Sequence, residues 1–251
     1  MIYSAPVKDA HFLLFDLFDV EKVWKQIPEF KEIDRPVVEA VISEGARLSG
    51  EILFESFQES SFEECDWNGG DVKAPKEFKK AFTELTSGGW LALSGNPDFG
   101  GQGMPKMLGC LIEEMFWASN ASLYLYGTLT VGASLGTDSH GTASQKEVFL
   151  RKLYSGDWTG AMALTESHAG TDLGLIRTKA IPHADGSYQI TGTKIFITSG
   201  EHDLAENIVH LVLAKLPDAP SGTRGISLFI VPKFLIENDG NIGSRNSWAS
   251  G

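Results

Sequence analysis

The chain predicts an α+β fold in two parts, a helical first part followed by a β-rich second part. Three observations carry that prediction. Apolar residues recur near a 3.6-residue period early on, as in Val37, Val38, Val41, Ile42, Leu48, Ile52 and Leu53. Near Asp157 the pattern changes to short β-rich runs, 208–214 and 226–231 among them. Between two such runs stands Asp185-Gly186, a strong hairpin turn. A chain of 251 residues can hold one or two cored domains. The expected division is 1–156 and 157–251, with residues 1–35 as an N-terminal extension.

Taken in order, residues 11–20 predict a helix through Phe12, Leu13, Phe15, Leu17 and Phe18. Pro36 is placed to open a longer helix. Residues 65–71 are expected as a loop because of Gly69 and Gly70. Pro75 precedes a short helix carrying Phe78, Phe82 and Leu85. Residues 88–103 read as irregular. Pro105 then opens a helix expected to run to about Leu135. Ser144-Gln145-Lys146-Glu147 has the pattern of a capping box, and Gly156 closes that helix. In the second part, 178–182 and 187–191 form the predicted hairpin, and 194–198 follow as a further strand. The polar residues 238–251 are expected to fray.

Composition narrows the function. The chain has 33 acidic against 21 basic residues, a net charge of -12, which argues against a nucleic-acid partner. Only Cys65 and Cys110 are present, so neither a disulfide scaffold nor a zinc site is expected. The six histidines show no ligand pairing, and no metal is expected. No apolar run approaches the roughly 20 residues of a membrane span. Without a basic segment ahead of an apolar one at the start, no signal peptide is read and a cytoplasmic location is expected.

The most specific chemistry lies in Ala161-Met162-Ala163-Leu164-Thr165-Glu166-Ser167-His168-Ala169-Gly170-Thr171-Asp172-Leu173-Gly174 and in Gly192-Thr193-Lys194-Ile195-Phe196-Ile197-Thr198-Ser199-Gly200. An apolar run breaks into a loop of hydroxyls, amides and a glycine that lets the backbone come close to a ligand. Asp172 is placed to bond its own backbone. Such a loop suits the edge of a planar polar cofactor. On local chemistry alone it suits a plain Asx-type turn equally well. Phe196 has the alternative of a core aromatic. Gly100-Gly101-Gln102-Gly103-Met104-Pro105-Lys106 lacks the last glycine of a dinucleotide loop and reads as a tight turn before a helix.

These two stretches, with Phe99-Gly100-Gly101-Gln102-Gly103, resemble the acyl-CoA dehydrogenase family. Gly186 to Thr198, followed by the run from Glu201-His202-Asp203 to His210, resembles its long-form branch, which includes 3-methylthiopropanoyl-CoA dehydrogenases. The resemblance covers nearly all of residues 1–246 and stops at Ser247. It implies a helical domain followed by a β-barrel-like middle domain, and FAD as cofactor. By position, Met162 and Leu164 would line the flavin ring and Thr165 would bond its pyrimidine edge. Gly170 would face the ribityl and pyrophosphate region, and Thr171 would lie between that and the bound thioester. Phe196 stands where many relatives have Trp, beside the ring, and Ile197 and Thr198 would reach flavin O4 and N5. Ser167 replaces a usual proline, Ala163 a common cysteine and Thr171 a serine.

The implied reaction is α,β-dehydrogenation of an acyl-CoA thioester to a trans-2-enoyl-CoA, with electrons passed to an electron-transfer flavoprotein. The carboxylate base of the family lies in a C-terminal helical bundle that this chain lacks. That bundle also builds the homo-oligomer. No catalytic residue is therefore expected within the chain, and the chain alone is expected to be inactive. Glu166 is expected to be structural, and Glu201, Asp203 and Glu206 to cap or face solvent. The alternatives are a non-catalytic remnant of a dehydrogenase gene and a fragment of an acyl-CoA oxidase.

Overall fold

The structure, a computed structural model, describes residues 3–237 and 240–247. α1 (Val7–His11) runs into a π-helical turn at Phe12–Leu17, and α2 (Val20–Trp24) follows. Leu14, Val20 and Trp24 from this segment are buried in the helical core. α3 (Arg35–Arg47) starts at Asp34, whose carboxylate accepts the Val37 amide at 3.1 Å. Pro36 sits in its first turn, where a missing amide costs nothing. A second π-helical turn (Leu48–Leu53) carries the run into α4 (Phe54–Ser60).

Residues 65–71 are not a plain loop. β1 (Asp66–Asn68) and β2 (Asp71–Lys73) pair antiparallel across Gly69-Gly70. Both glycines have positive φ, which a two-residue hairpin turn requires. The strand residues are exposed apart from a half-buried Val72, so no burial pattern signalled the pairing. α5 (Lys76–Ser87) buries Phe78, Phe82 and Leu85 as expected.

The long helix expected after Pro105 is two helices, α6 (Lys106–Ser119) and α7 (Ala121–His140). Asn120 breaks it. Its carbonyl oxygen accepts the Leu123 amide at 3.0 Å and caps α7. Its side-chain nitrogen donates to Leu53 O at 3.2 Å and Ser56 Oγ at 2.9 Å. Asn120 therefore exchanges helix continuity for a buried link to α4. The capping box lies two residues before the expected one. Thr142 Oγ1 accepts the Gln145 amide, and Gln145 accepts the Thr142 amide at 2.9 Å. Thr-x-x-Gln supplies the same two reciprocal bonds as the Ser-x-x-Glu that was expected. α8 (Ala143–Gln145), a π-helical turn (Lys146–Leu150) and α9 (Arg151–Ser155) then lead to Gly156.

The strands are β3 (Trp158–Ala163), β4 (Lys179–Pro182), β5 (Tyr188–Thr191), β6 (Asn207–Lys215), β7 (Ile226–Pro232), β8 (Phe234–Ile236) and β9 (Ile242–Arg245). β6 is the centre, parallel to β3 on one side and antiparallel to β7 on the other. β4 meets the end of β6 at Lys179 and Lys215 and forms the expected hairpin with β5. β8 and β9 form a separate ribbon. β9 lies within the tail expected to fray; residues 238, 239 and 248–251 of that tail are outside the described residues. Residues 194–198 enter no ladder, because Phe196 turns left-handed at φ 58° and interrupts the extended chain.

The two parts are sealed by α7 lying on β3. Gly160 donates its amide to Thr130 Oγ1 at 3.0 Å, and a Cβ there would collide with Ala133. Among the described residues no helix is long and apolar enough to cross a membrane.

Candidate functional site

β3 delivers Met162 and Ala163 to the end of the sheet, where Leu164 and Thr165 leave it. Met162 packs at the edge of the cluster formed by Ala133, Leu153, Trp158, Val209 and Leu211. Beyond Thr165 the chain folds back at once: Glu166 and Ala169 exchange amide-to-carbonyl bonds, both 3.0 Å. This pair supplies the rigidity that a proline at Ser167 would have given.

Glu166 is the post that holds the loop. It is buried, and its Oε2 accepts the Arg177 amide at 2.7 Å. Its Oε1 accepts the Thr178 amide at 3.0 Å, the Thr178 hydroxyl at 2.6 Å and Lys194 Nζ at 3.0 Å. Burial pushes this carboxyl up. The bonds from Thr178, Arg177 and Lys194 outweigh it and hold the group down at about 2. With its oxygens occupied, Glu166 is structural, as expected. Asp172 Oδ1 accepts the Gly174 amide at 3.0 Å, the expected turn within the loop.

The second segment comes to the same place. Ile195 donates its amide to Thr165 O at 2.9 Å, and Lys194 Nζ also reaches Leu164 O at 3.0 Å. Two stretches some 30 residues apart thus join at Thr165 and Ile195. Phe196 then turns its ring outward and is 88% exposed, so it is no core aromatic. Gly170, Thr171 and Thr198 are also exposed, whereas Leu164, Thr165 and Ile197 are half-buried. Gly170 and Thr171 make no hydrogen bond to 196–198 among the described residues.

The residues present fit a planar group with apolar faces and a polar edge. Phe196 offers a largely uncovered apolar ring. The amides of Thr165, Ile197 and Thr198 have no acceptor among the described residues. Ser199 Oγ is buried without a partner among them. At Gly170 a Cβ would meet only Thr165 Cγ2, at an ordinary 3.6 Å. Packing within the chain therefore gives no reason for a glycine there.

Sequence reasoning missed three groups. Lys194 could have been found by asking what neutralises Glu166. Thr178 and His210 carried no signal. His210 is buried on β6 and bonds Gly200 O at 2.7 Å. Glu201 is corrected: it is buried and paired with Lys233 and Arg245, so it does not face solvent. Asp203 caps no helix: it accepts the Ala74 amide at 2.9 Å, two residues ahead of α5, and Glu206 is exposed.

The architecture is an α+β pair, a helical layer sealed by α7 onto a mixed sheet, with the 164–174 loop and the 195–200 segment joined where β3 ends. Two family models match it: "Acyl-CoA dehydrogenase, N-terminal domain" over residues 55–157 and "Acyl-CoA dehydrogenase, middle domain" over residues 161–249. The chain belongs to the acyl-CoA dehydrogenase family and carries these two domains. The match reaches residue 249, past Ser247, where the resemblance was expected to stop. The chain is 41% identical over 247 residues to a 3-methylmercaptopropionyl-CoA dehydrogenase of Ruegeria pomeroyi, covering 98% of this chain and 42% of that protein. It is 35% identical over 258 residues to a butyryl-CoA dehydrogenase of Syntrophomonas wolfei, covering 99% and 41%. An acyl-CoA dehydrogenase from Bacillus anthracis, solved in complex with FAD, superposes with a TM-score of 0.63 at 25% identity, over 80% of this chain and 31% of that one. The chain thus spans about two fifths of the length of the curated relatives it matches.

Proposed function

We propose that residues 1–251 are the flavin-binding half of an FAD-dependent acyl-CoA dehydrogenase, divided near residue 156. The observation that carries the reading is the joining of Thr165 to Ile195, which sets free amides and an exposed aromatic on one cradle. Met162, Leu164 and Phe196 would bound the isoalloxazine ring. Thr165, Ile197 and Thr198 would bond its polar edge. Gly170 would leave room for the ribityl and pyrophosphate, and Thr171 would stand between cofactor and thioester. FAD, when bound, accepts hydride equivalents from the β-carbon of an acyl-CoA thioester.

The residues of this chain do the holding. Glu166 fixes the loop and is not a base, since its oxygens already accept four hydrogen bonds. The α-proton is assigned to a carboxylate of the family's C-terminal helical domain, and this 251-residue chain alone is read as inactive. The complete protein is read as a homo-oligomer passing electrons to an electron-transfer flavoprotein. Two free thiols suit a cytoplasmic setting.

The test is titration of the chain with FAD, followed by flavin fluorescence and the visible band. Saturable binding that weakens in Phe196→Ala and Thr165→Ala supports the cradle. No binding, or binding indifferent to both changes, sinks it. Anaerobic bleaching of the bound flavin by an acyl-CoA would overturn the reading that the chain is inactive alone. Oxygen consumption against dye reduction separates oxidase from dehydrogenase.

A further inference from the structure

The turn at 196–200 is built at a cost. Phe196 and Ser199 have φ of 58° and 57°, a region where a non-glycine residue costs on the order of 1 kcal/mol or more. Within the turn, the Gly200 amide donates to Ile197 O at 3.1 Å. No side chain of Phe196, Ile197, Thr198 or Ser199 makes a hydrogen bond among the described residues. Such a shape persists only where its surroundings fix it.

What fixes it follows at once in the chain. We propose that Glu201-His202-Asp203 is a positioning clamp, three consecutive side chains fastened to both domains, which holds the 196–200 turn in the shape that receives the flavin edge. The inference rests on the FAD reading of the cradle. Glu201 pairs with Lys233 between β7 and β8, and its Oε2 takes Arg245 of β9 at 3.1 Å. Arg245 continues to Asp71 of β2 at 2.8 Å, across to the helical part. His202 meets Thr159 Oγ1 of β3 at 2.9 Å and accepts the Leu204 amide on Nδ1 at 3.1 Å. Nε2 is therefore the nitrogen that carries the proton and donates to Thr159. The ring stands edge-on to Tyr126 of α7, centroids 4.9 Å apart. Asp203 takes the Ala74 amide at 2.9 Å and Lys79 of α5 at 2.7 Å. Leu204 packs on the helical core. From the other side, His210 holds the Gly200 carbonyl at 2.7 Å.

Each attachment stops Gly200 from moving toward a different element. Together they leave the two left-handed residues no room to relax. The free amides of Ile197 and Thr198 lie inside the segment so held. A flavin edge would meet them already in place, which reduces the ordering cost of binding.

The test uses the whole chain and three variants. Asp203→Ala removes one arm whose partners are an amide and a half-exposed lysine. Asp203→Asn keeps an acceptor for Ala74. Leu14→Ala destabilises the helical core away from the clamp. Hydrogen exchange at the Gly200 amide, the one bonded within the turn, is measured without FAD. Affinity for FAD and the shape and midpoint potential of the bound flavin are measured with it. Asp203→Ala is expected to speed that exchange and weaken FAD roughly tenfold each, and to shift the potential. Asp203→Asn is expected to restore most of this, and Leu14→Ala to leave all three unchanged. Unchanged exchange in Asp203→Ala overturns the clamp, and so does an equal response in Leu14→Ala. If the unaltered chain binds no FAD, the cofactor reading fails, while the exchange result still decides the clamp.

Discussion

The two segments of the cradle are held by opposite means. Residues 164–178 are tied down from within the β part, by one carboxylate that gathers the amides of Arg177 and Thr178 and the ammonium of Lys194. Residues 196–203 are tied down from outside, by groups on β2, α5, α7, β3 and β9. The first segment should keep its shape as long as the β part is folded. The second draws on both parts, so it should keep its full set of anchors only while the seam between them is closed. Domain docking is thereby linked to the shape of the second segment and not to that of the first.

Acid should separate the two, with the largest expected effect. Burial, helped by the charge of Lys233 and opposed by Asp203, pushes His202 down to about 3 from an ordinary 6.5. His210 is lowered in the same direction, chiefly by burial. Between those pH values the unfolded chain binds protons that the native imidazole refuses, so stability falls as pH drops below about 6.5. Glu166 acts lower. Its ordinary value of 4.5 falls to about 2, so the on-the-order-of 3 kcal/mol it contributes is intact above pH 4.5 and lost through pH 2. Denaturant melts from pH 7 to 3, with hydrogen exchange at both segments, should show 196–203 loosening first. Simultaneous loosening near pH 4 would erase the distinction between the two segments.

Next in size is Lys194→Met. It leaves a buried carboxylate without its cation, a change that costs about 3–5 kcal/mol in general. Arg177 and Thr178 still donate to Glu166, which places the loss near the lower end. Urea unfolding checks it, and a loss under about 1 kcal/mol would mean that the amides suffice.

Much of this organisation was legible in the sequence. The change from helix to strand at Asp157 and the hairpin at Asp185-Gly186 follow from local pattern and turn chemistry, whereas local chemistry left the stretches at 161–174 and 192–200 open between a cofactor edge and a plain turn, and only the family resemblance pointed to a cofactor. The break at Asn120 was not legible, because its cause is Leu53 and Ser56, more than 60 residues away. For the same reason Glu201 was expected only to cap or face solvent: its partners Lys233 and Arg245 lie 32 and 44 residues further on. Residues 194–198 have the composition of a strand. Their left-handed residues are imposed by anchors on both sides, and nothing local signals them. Turns defined by their own residues could be read, whereas turns defined by distant partners could not.

The seam offers an intermediate test. Gly160→Ala places a methyl against Ala133 and the backbone of α7. Overpacking of that kind costs about 1–3 kcal/mol. If the second segment depends on the seam, exchange at 196–203 should rise with the loss of stability, while 164–178 stays protected. Equal effects on both segments would mean that the sheet itself has been disturbed.

The smallest expected change in stability belongs to Phe196→Ala. A side chain 88% exposed contributes little burial, and a surface substitution of this kind stays within about 0.5 kcal/mol. Alanine at a φ of 58° keeps the same left-handed strain, so the backbone term should nearly cancel. A large aromatic held outward on a strained backbone has no folding role to lose. On the proposed reading its role is to face the cofactor. Unchanged melting with weakened FAD binding is therefore the pattern that a cofactor-facing ring requires. A drop in stability above 1 kcal/mol would show instead that Phe196 packs on the protein in solution, and would remove it from the cradle.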